Sequence, residues 1–254
     1  MESVSKIALI TGGSRGLGKN MAMRLAEKGN DVIVVYRSKE QEANEVVAAI
    51  EALGQKSVAI QLDTANMKAF DGFFAQLSAI LKDKWNRTSF DFLVNNAGIS
   101  RHSAFAETPE QDFDDLLNVH FKGVYFLSQK ALPLLADGGR IVNLSTGLAR
   151  FSSPGYAAYA SMKGAIDTLT RYMAKELGGR GITVNALAPG AIYTDFNSDS
   201  FDNHPGLTDF ISSVTALGRV GEPNDIGGVV AFLCSDDARW ITGQRIEVSG
   251  GMFL

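Results

Sequence analysis

Tyr159 and Lys163 stand four residues apart in a stretch with good helical spacing, so both side chains would project from one helix face. A free phenol loses its proton near pH ~10, and an adjacent ammonium favours the phenolate, so such a pair can act as acid or base nearer neutrality. Six tyrosines and twelve lysines in 254 residues would give about 0.3 such pairs by chance, so the spacing is weak by itself and depends on its company. A tyrosine at the edge of the core beside a solvated lysine is the plain structural alternative.

The second chemical signal is the glycine-rich run Thr11-Gly12-Gly13-Ser14-Arg15-Gly16-Leu17-Gly18, between an apolar strand pattern and a helical one. Glycines there let the backbone approach a pyrophosphate, and the following helix offers free N–H groups to it; an ordinary strand-to-helix turn is the alternative. No Gly-Lys-Ser/Thr follows, which excludes a Walker loop. An acid at the end of the second strand would hold a ribose 2′-hydroxyl, but the strand ends Tyr36-Arg37-Ser38. Arg37 with Arg15 could clamp a 2′-phosphate, which predicts NADP(H) over NAD(H), unless both arginines are simply solvated.

These residues need elements to position them. Short apolar runs near 6–10, 32–35, 57–61, 92–94, 140–144, 182–187 and 244–248 alternate with helical patterns such as 16–28 and 40–53. The runs are apolar at nearly every position, which calls for a parallel sheet covered on both faces: a doubly wound α/β fold. No linker or repeat divides residues 1–254, so one domain is expected. The polar segment 194–217, containing His204-Pro205-Gly206, reads as a substrate loop or lid, with Phe196, Phe201 and Phe210 pointing to a partly apolar pocket.

Composition removes other classes. The single cysteine, Cys234, cannot form an internal bridge, and three scattered histidines provide no metal-ligand spacing, so no metal is expected. The longest apolar run, Val229 to Cys234, is far too short to span a membrane, and no signal segment precedes the glycine-rich run, which makes a cytoplasmic location the expectation. A net charge of −4 without like-charge blocks gives no reason to expect nucleic-acid or membrane partners, and favours a small molecule.

Thr11-Gly12-x-x-x-Gly16-x-Gly18, Asn95-Asn96-Ala97-Gly98, Tyr159-x-x-x-Lys163, Pro189-Gly190 and Gly250-Gly251, in this order over nearly the whole chain, resemble the single-domain branch of the short-chain dehydrogenase/reductases. The resemblance implies a Rossmann-type sheet of about seven parallel strands and a reversible reduction of a ketone or aldehyde to an alcohol. Hydride would come from nicotinamide C4, with Tyr159 as general acid/base and Lys163 holding the nicotinamide ribose while lowering the tyrosine pKa. The glycine-rich run places Gly12, Ser14, Arg15, Gly16, Leu17 and Gly18 at the pyrophosphate, and the end of the second strand places Tyr36, Arg37 and Ser38 at the adenosine end. By the resemblance Asp63 contacts adenine; Asn95, Ala97 and Gly98 line its ribose; Pro189, Gly190, Ile192 and Thr194 hold the nicotinamide end. A homo-oligomer, tetramer or dimer, packed through 121–131 and 160–173 is also implied.

Two departures stand out. The family's carbonyl-polarising hydroxyl, thirteen residues before the tyrosine, falls on Thr146, with Ser145 one residue off; neighbouring strand residues face opposite ways, so one of the two is expected to serve. His120 stands where the family has an asparagine that supports a water-mediated proton relay; it either anchors that water, titrating near pH ~6.5, or is a packed histidine. The alternatives are an NAD(H)-dependent alcohol dehydrogenase, an enoyl reductase, disfavoured by the Tyr-Lys spacing, and a non-catalytic NADP(H) sensor.

Overall fold

Alternate residues of each apolar run enter different layers, which is how one sheet acquires two cores. The computed structural model describes residues 5–204 and 206–254, so Pro205 of the predicted loop lies outside the described residues. Its elements run β1 (Ile7–Thr11), α1 (Gly16–Glu27), β2 (Asp31–Tyr36), α2 (Glu40–Ala52), β3 (Ser57–Gln61), α3 (Phe70–Trp85) and β4 (Phe90–Asn95). There follow α4 (Glu110–Leu117), a π-helical segment (Asn118–Lys122), α5 (Gly123–Ala131), β5 (Leu135–Leu144), α6 (Ala157–Leu177) and β6 (Thr183–Pro189). The last elements are α7 (Ser198–Asn203), α8 (Leu207–Ser213), α9 (Asn224–Leu233) and β7 (Arg245–Val248). Seven strands pair in parallel in the order β3-β2-β1-β4-β5-β6-β7.

Ala8 and Ile10 of β1 pack with Met21 and Leu25 of α1 and Ile226 and Val230 of α9 on one face. Ile7 and Leu9 pack with Phe70, Phe73 and Leu77 of α3 on the other. Phe70 is fully buried, and truncating such a ring typically costs about 3–5 kcal/mol. Cys234, just past α9, is sealed in the first of these layers, and burial pushes its thiol up to about 12.

Chain order reverses at β1, whose neighbours are β2 and β4, and the crevice beyond the carboxyl ends of these strands is where open α/β sheets bind ligands. The segment 194–217 differs from the loop expected from its polarity, because it carries α7 and α8. Leu207, Phe210 and Ile211 follow helical i, i+3, i+4 spacing, a signal too short to stand out within seven residues.

Candidate active site

The carboxyl ends of β1, β2, β4, β5 and β6 surround one cleft of about 540 Å³, within the range that takes up small molecules. Gly12, Ser14, Arg15, Gly16, Leu17 and Gly18 form one wall. A Cβ on Gly18 would sit 2.1 Å from the Gly12 carbonyl oxygen and 2.6 Å from Asn96 Nδ2, so only glycine lets α1 approach the β1 loop. No side chain caps α1 and its first turn holds no acid, which leaves its leading N–H groups to an anion.

Arg37 and Ser38 line the cleft beyond β2, joined by Lys39, whose ammonium lies 3.3 Å from Glu42. Arg15 reaches across the opening to Asp195, 3.6 Å away. Asp63 lines the same end and accepts the Ala65 N–H at 2.9 Å, combining the expected placement with the turn role. Ala97, Gly98, Pro189, Gly190, Ile192 and Thr194 also line the cleft.

Two of the expected residues turn their side chains away from the cleft. Tyr36 belongs to the core packed by Val32 and Val34, because residues of one parity share a face, and it does not line the cleft. Asn95 is also buried away from it, donating to Ser128 Oγ at 3.0 Å and Asn143 Oδ1 at 2.8 Å. Asn96 occupies the cleft instead. Its Nδ2 donates to the Thr11 and Gly12 carbonyls at 2.9 and 3.2 Å, and Thr11 Oγ1 accepts the Asn96 and Ala97 N–H groups at 3.0 Å. The β1 and β4 loops are thereby tied together.

Tyr159 and Lys163, both on α6, enter the cleft beside Ser145 and Thr146 beyond β5. The Thr146 side chain accepts the Leu148 N–H at 3.3 Å and lies where it favours the Tyr159 phenolate, whereas the Ser145 hydroxyl is buried without a partner among the described residues. Burial pushes Tyr159 up to about 12 against the influence of Thr146. The expected lowering by Lys163 is not found: its ammonium lies 5.8 Å from the ring centroid and donates to the Leu144 carbonyl at 2.6 Å. Burial holds Lys163 down to about 8, with Asp167 pulling the other way.

His120 projects from the π-helical segment, a distortion frequent at functional sites. It stands edge-on to Tyr159 with ring centroids 5.0 Å apart, and its Nε2 lies 2.8 Å from the Ile99 carbonyl oxygen. Gly98 makes room for it, since a Cβ there would meet His120 Cε1 at 2.9 Å. Burial, then the Lys163 charge, drive the imidazole down to about 3, so the titration near 6.5 considered from sequence does not hold. Its Nδ1 is buried without a partner among the described residues.

Phe151, Tyr156, Phe196, Phe210, Met252 and Phe253 form the remaining wall. Phe196 and Phe210 were legible as loop aromatics. The others come from distant segments without a local motif.

A family model described as Enoyl-(Acyl carrier protein) reductase matches residues 12–253. The 3-oxoacyl-acyl-carrier-protein reductase FabG of Staphylococcus aureus is 40% identical over 254 residues, covering 99% of each chain. A solved structure of the angucycline C-6 ketoreductase LanV with bound NADP superposes with a TM-score of 0.93 at 37% identity, covering 98% of this chain and 96% of that one. The reductase LugOII, described as catalysing keto-reduction at C1 in lugdunomycin biosynthesis, gives 0.93 at 38% identity, covering 99% of each chain. With the parallel sheet and the cleft at its switch point, these similarities define an oxidoreductase of Rossmann type. The chain belongs to the short-chain dehydrogenase/reductase family.

Proposed function

We propose that the protein is an NADP(H)-dependent carbonyl reductase that interconverts a ketone or aldehyde and an alcohol. The observation that carries this reading is the convergence of the Tyr159 phenol, the Thr146 hydroxyl and Lys163 in the same cleft as the glycine cradle and Arg37. LanV, solved with NADP, and FabG, a 3-oxoacyl reductase, both act on ketones by their names, which supports the carbonyl class over enoyl reduction.

The residues present fit the dinucleotide. Gly12 to Gly18 with the uncapped α1 terminus would take the pyrophosphate, and Arg37, with Ser38 and Lys39, a ribose 2′-phosphate. Asp63, Ala97 and Gly98 would meet the adenosine half, and Pro189, Gly190, Ile192 and Thr194 the nicotinamide half. When bound, the cofactor supplies the hydride. This chain supplies the proton: a phenol held at about 12 is neutral at pH 7 and carries the hydrogen that a reduced carbonyl oxygen must receive. Thr146 lines the same cleft and can donate to the same oxygen as charge develops on it. Lys163 places a positive charge beneath the site. The segment 194–217, whose Phe196, Asn197 and Phe210 line the cleft, acts as the lid that excludes water.

Residues 1–254 act as one catalytic domain. Tyr125, Phe126 and Tyr172 expose rings on α5 and α6, which supports self-association as a tetramer or dimer, to be measured by light scattering. No helix among the described residues is long and apolar enough to cross a membrane, in keeping with a cytoplasmic enzyme.

The test is NADPH oxidation followed by absorbance against a panel of carbonyl compounds. Tyr159→Phe should lose at least about a hundred-fold in kcat/KM while still binding NADPH. Thr146→Ala should lose more than Ser145→Ala. NADPH binding without any turnover would favour a sensor, and an NADH preference would favour the NAD(H)-dependent alcohol dehydrogenase.

A further inference from the structure

The segment after β7 turns at Gly250-Gly251 and brings Met252 and Phe253 into the cleft. Phe253 has a φ of +54°, a left-handed conformation that a phenylalanine adopts only when its surroundings impose it. Here they do so from several directions. Phe253 N–H donates to the Val214 carbonyl at 2.8 Å, and Met252 N–H to the Ser249 carbonyl at 3.2 Å. Arg150 donates from Nη2 to the Met252 carbonyl at 2.7 Å and from Nη1 to the Phe253 carbonyl at 3.1 Å. The same guanidinium grips both carboxylate oxygens of Glu247 at 2.7 Å. A bidentate ion pair anchored on β7 thus fixes the backbone in its unfavourable state.

The result is an aromatic wall. The Phe253 ring stands 4.7 Å from Phe151 and 6.5 Å from Phe210, centroid to centroid, at interplanar angles of 55° and 58°. Phe196 lies 6.5 Å from Tyr159, centroid to centroid, beside the proton donor. Phe196, Phe210 and Phe253 line the cleft and remain 43%, 55% and 39% exposed, so their rings are available to a ligand. Asp195 lines the cleft next to Phe196, and the Arg150 guanidinium lies 5.5 Å from the Phe151 ring centroid. The aromatic rings reward a ligand whose own ring can stack edge or face against several phenyl groups.

We propose that Phe253, positioned by Arg150, determines specificity in this pocket, and that the pocket takes bicyclic ketones in which the carbonyl-bearing ring is fused to a flat aromatic ring. The inference rests on the carbonyl-reductase reading above and names its substrate class. The test compares kcat/KM with NADPH for 1-tetralone and for 2-decanone, a linear ketone of equal carbon number, in the wild type, Phe253→Gly and Arg150→Gln. Glycine tolerates the positive φ, so Phe253→Gly removes the ring without demanding the strain.

The wild type should favour 1-tetralone by about ten-fold or more, and that ratio should fall about ten-fold in Phe253→Gly, mainly through KM. Arg150→Gln should lower the same ratio; a merely structural arginine would reduce the melting temperature and leave the ratio intact. Equal use of both ketones by the wild type, or an unmoved ratio in Phe253→Gly, overturns the proposal. Calorimetric binding of the two ketones to Tyr159→Phe saturated with NADPH gives a readout independent of turnover. If the wild type reduces neither ketone nor any other carbonyl compound, the reductase reading fails. A lost or retained tetralone preference in binding then still decides the role of Phe253.

Discussion

His120 and Lys163 are both buried in forms that hold fewer protons than the unfolded chain would. For His120, lowered from 6.5 to about 3, the difference operates between these two values, so stability falls as pH drops through 6.5 towards 3. The loss should reach about 2 kcal/mol between neutrality and pH 5, read as a falling melting temperature, and His120→Gln should flatten the decline. Lys163 sits at about 8 against 10.5 unfolded, so its contribution runs in the same direction at higher pH, stability rising from about 8 to 10.5. For catalysis the sign reverses: if the ammonium assists, kcat/KM in the reducing direction should decline above pH about 8. No inflection should appear near 6.5, where an exposed histidine would titrate. Spacing located Lys163 and the family resemblance His120, but neither could foresee these values, because the burial that sets them comes from β5, β6 and the π-helical segment closing around α6.

Among the elements, the contact between α1 and the β1 and β4 loops tolerates least. Gly18→Ala places a methyl group against the Gly12 carbonyl and the Asn96 amide, and such overpacking typically costs about 1–3 kcal/mol. The expected outcome is a melting temperature lower by several degrees together with NADPH affinity weakened by at least about ten-fold, measured by nucleotide fluorescence. The parallel sheet was legible because its strands are apolar on both faces. Strand parity was equally legible for Tyr36, which continues the Val32 and Val34 series into the core and therefore turns away from the cleft. Asn95 and Asn96 differ by one residue and by face, so the neighbour of the expected asparagine holds the loops. Nothing local marked the π-helical segment or the short helices α7 and α8, which exist because tertiary packing outweighs the weak preference of so few residues.

At the scale of the whole molecule, a chain of net charge −4 presents Arg15, Arg37 and Lys39 along the opening of the cleft beside β1 and β2. Arg15 and Lys39 stand beside Asp195 and Glu42, so Arg37 is the cation on which the proposed preference for the more anionic nicotinamide dinucleotide rests. Arg37→Ala should reduce kcat/KM for NADPH by ten-fold or more and change that for NADH much less, and raising the salt concentration should narrow the wild-type preference. The glycine cradle and the arginine were readable in one stretch each. The aromatic wall was not, because Phe151, Phe210 and Phe253 come together only when the segments after β5, β6 and β7 meet.

The sealed thiol of Cys234 has a practical consequence. With the chain's one native sulfhydryl kept protonated and out of reach, a cysteine introduced on the exposed side of α8, for example Asp209→Cys, becomes the sole target for a maleimide dye. A fluorophore at that point would report in real time how α8 moves as nucleotide and ketone arrive.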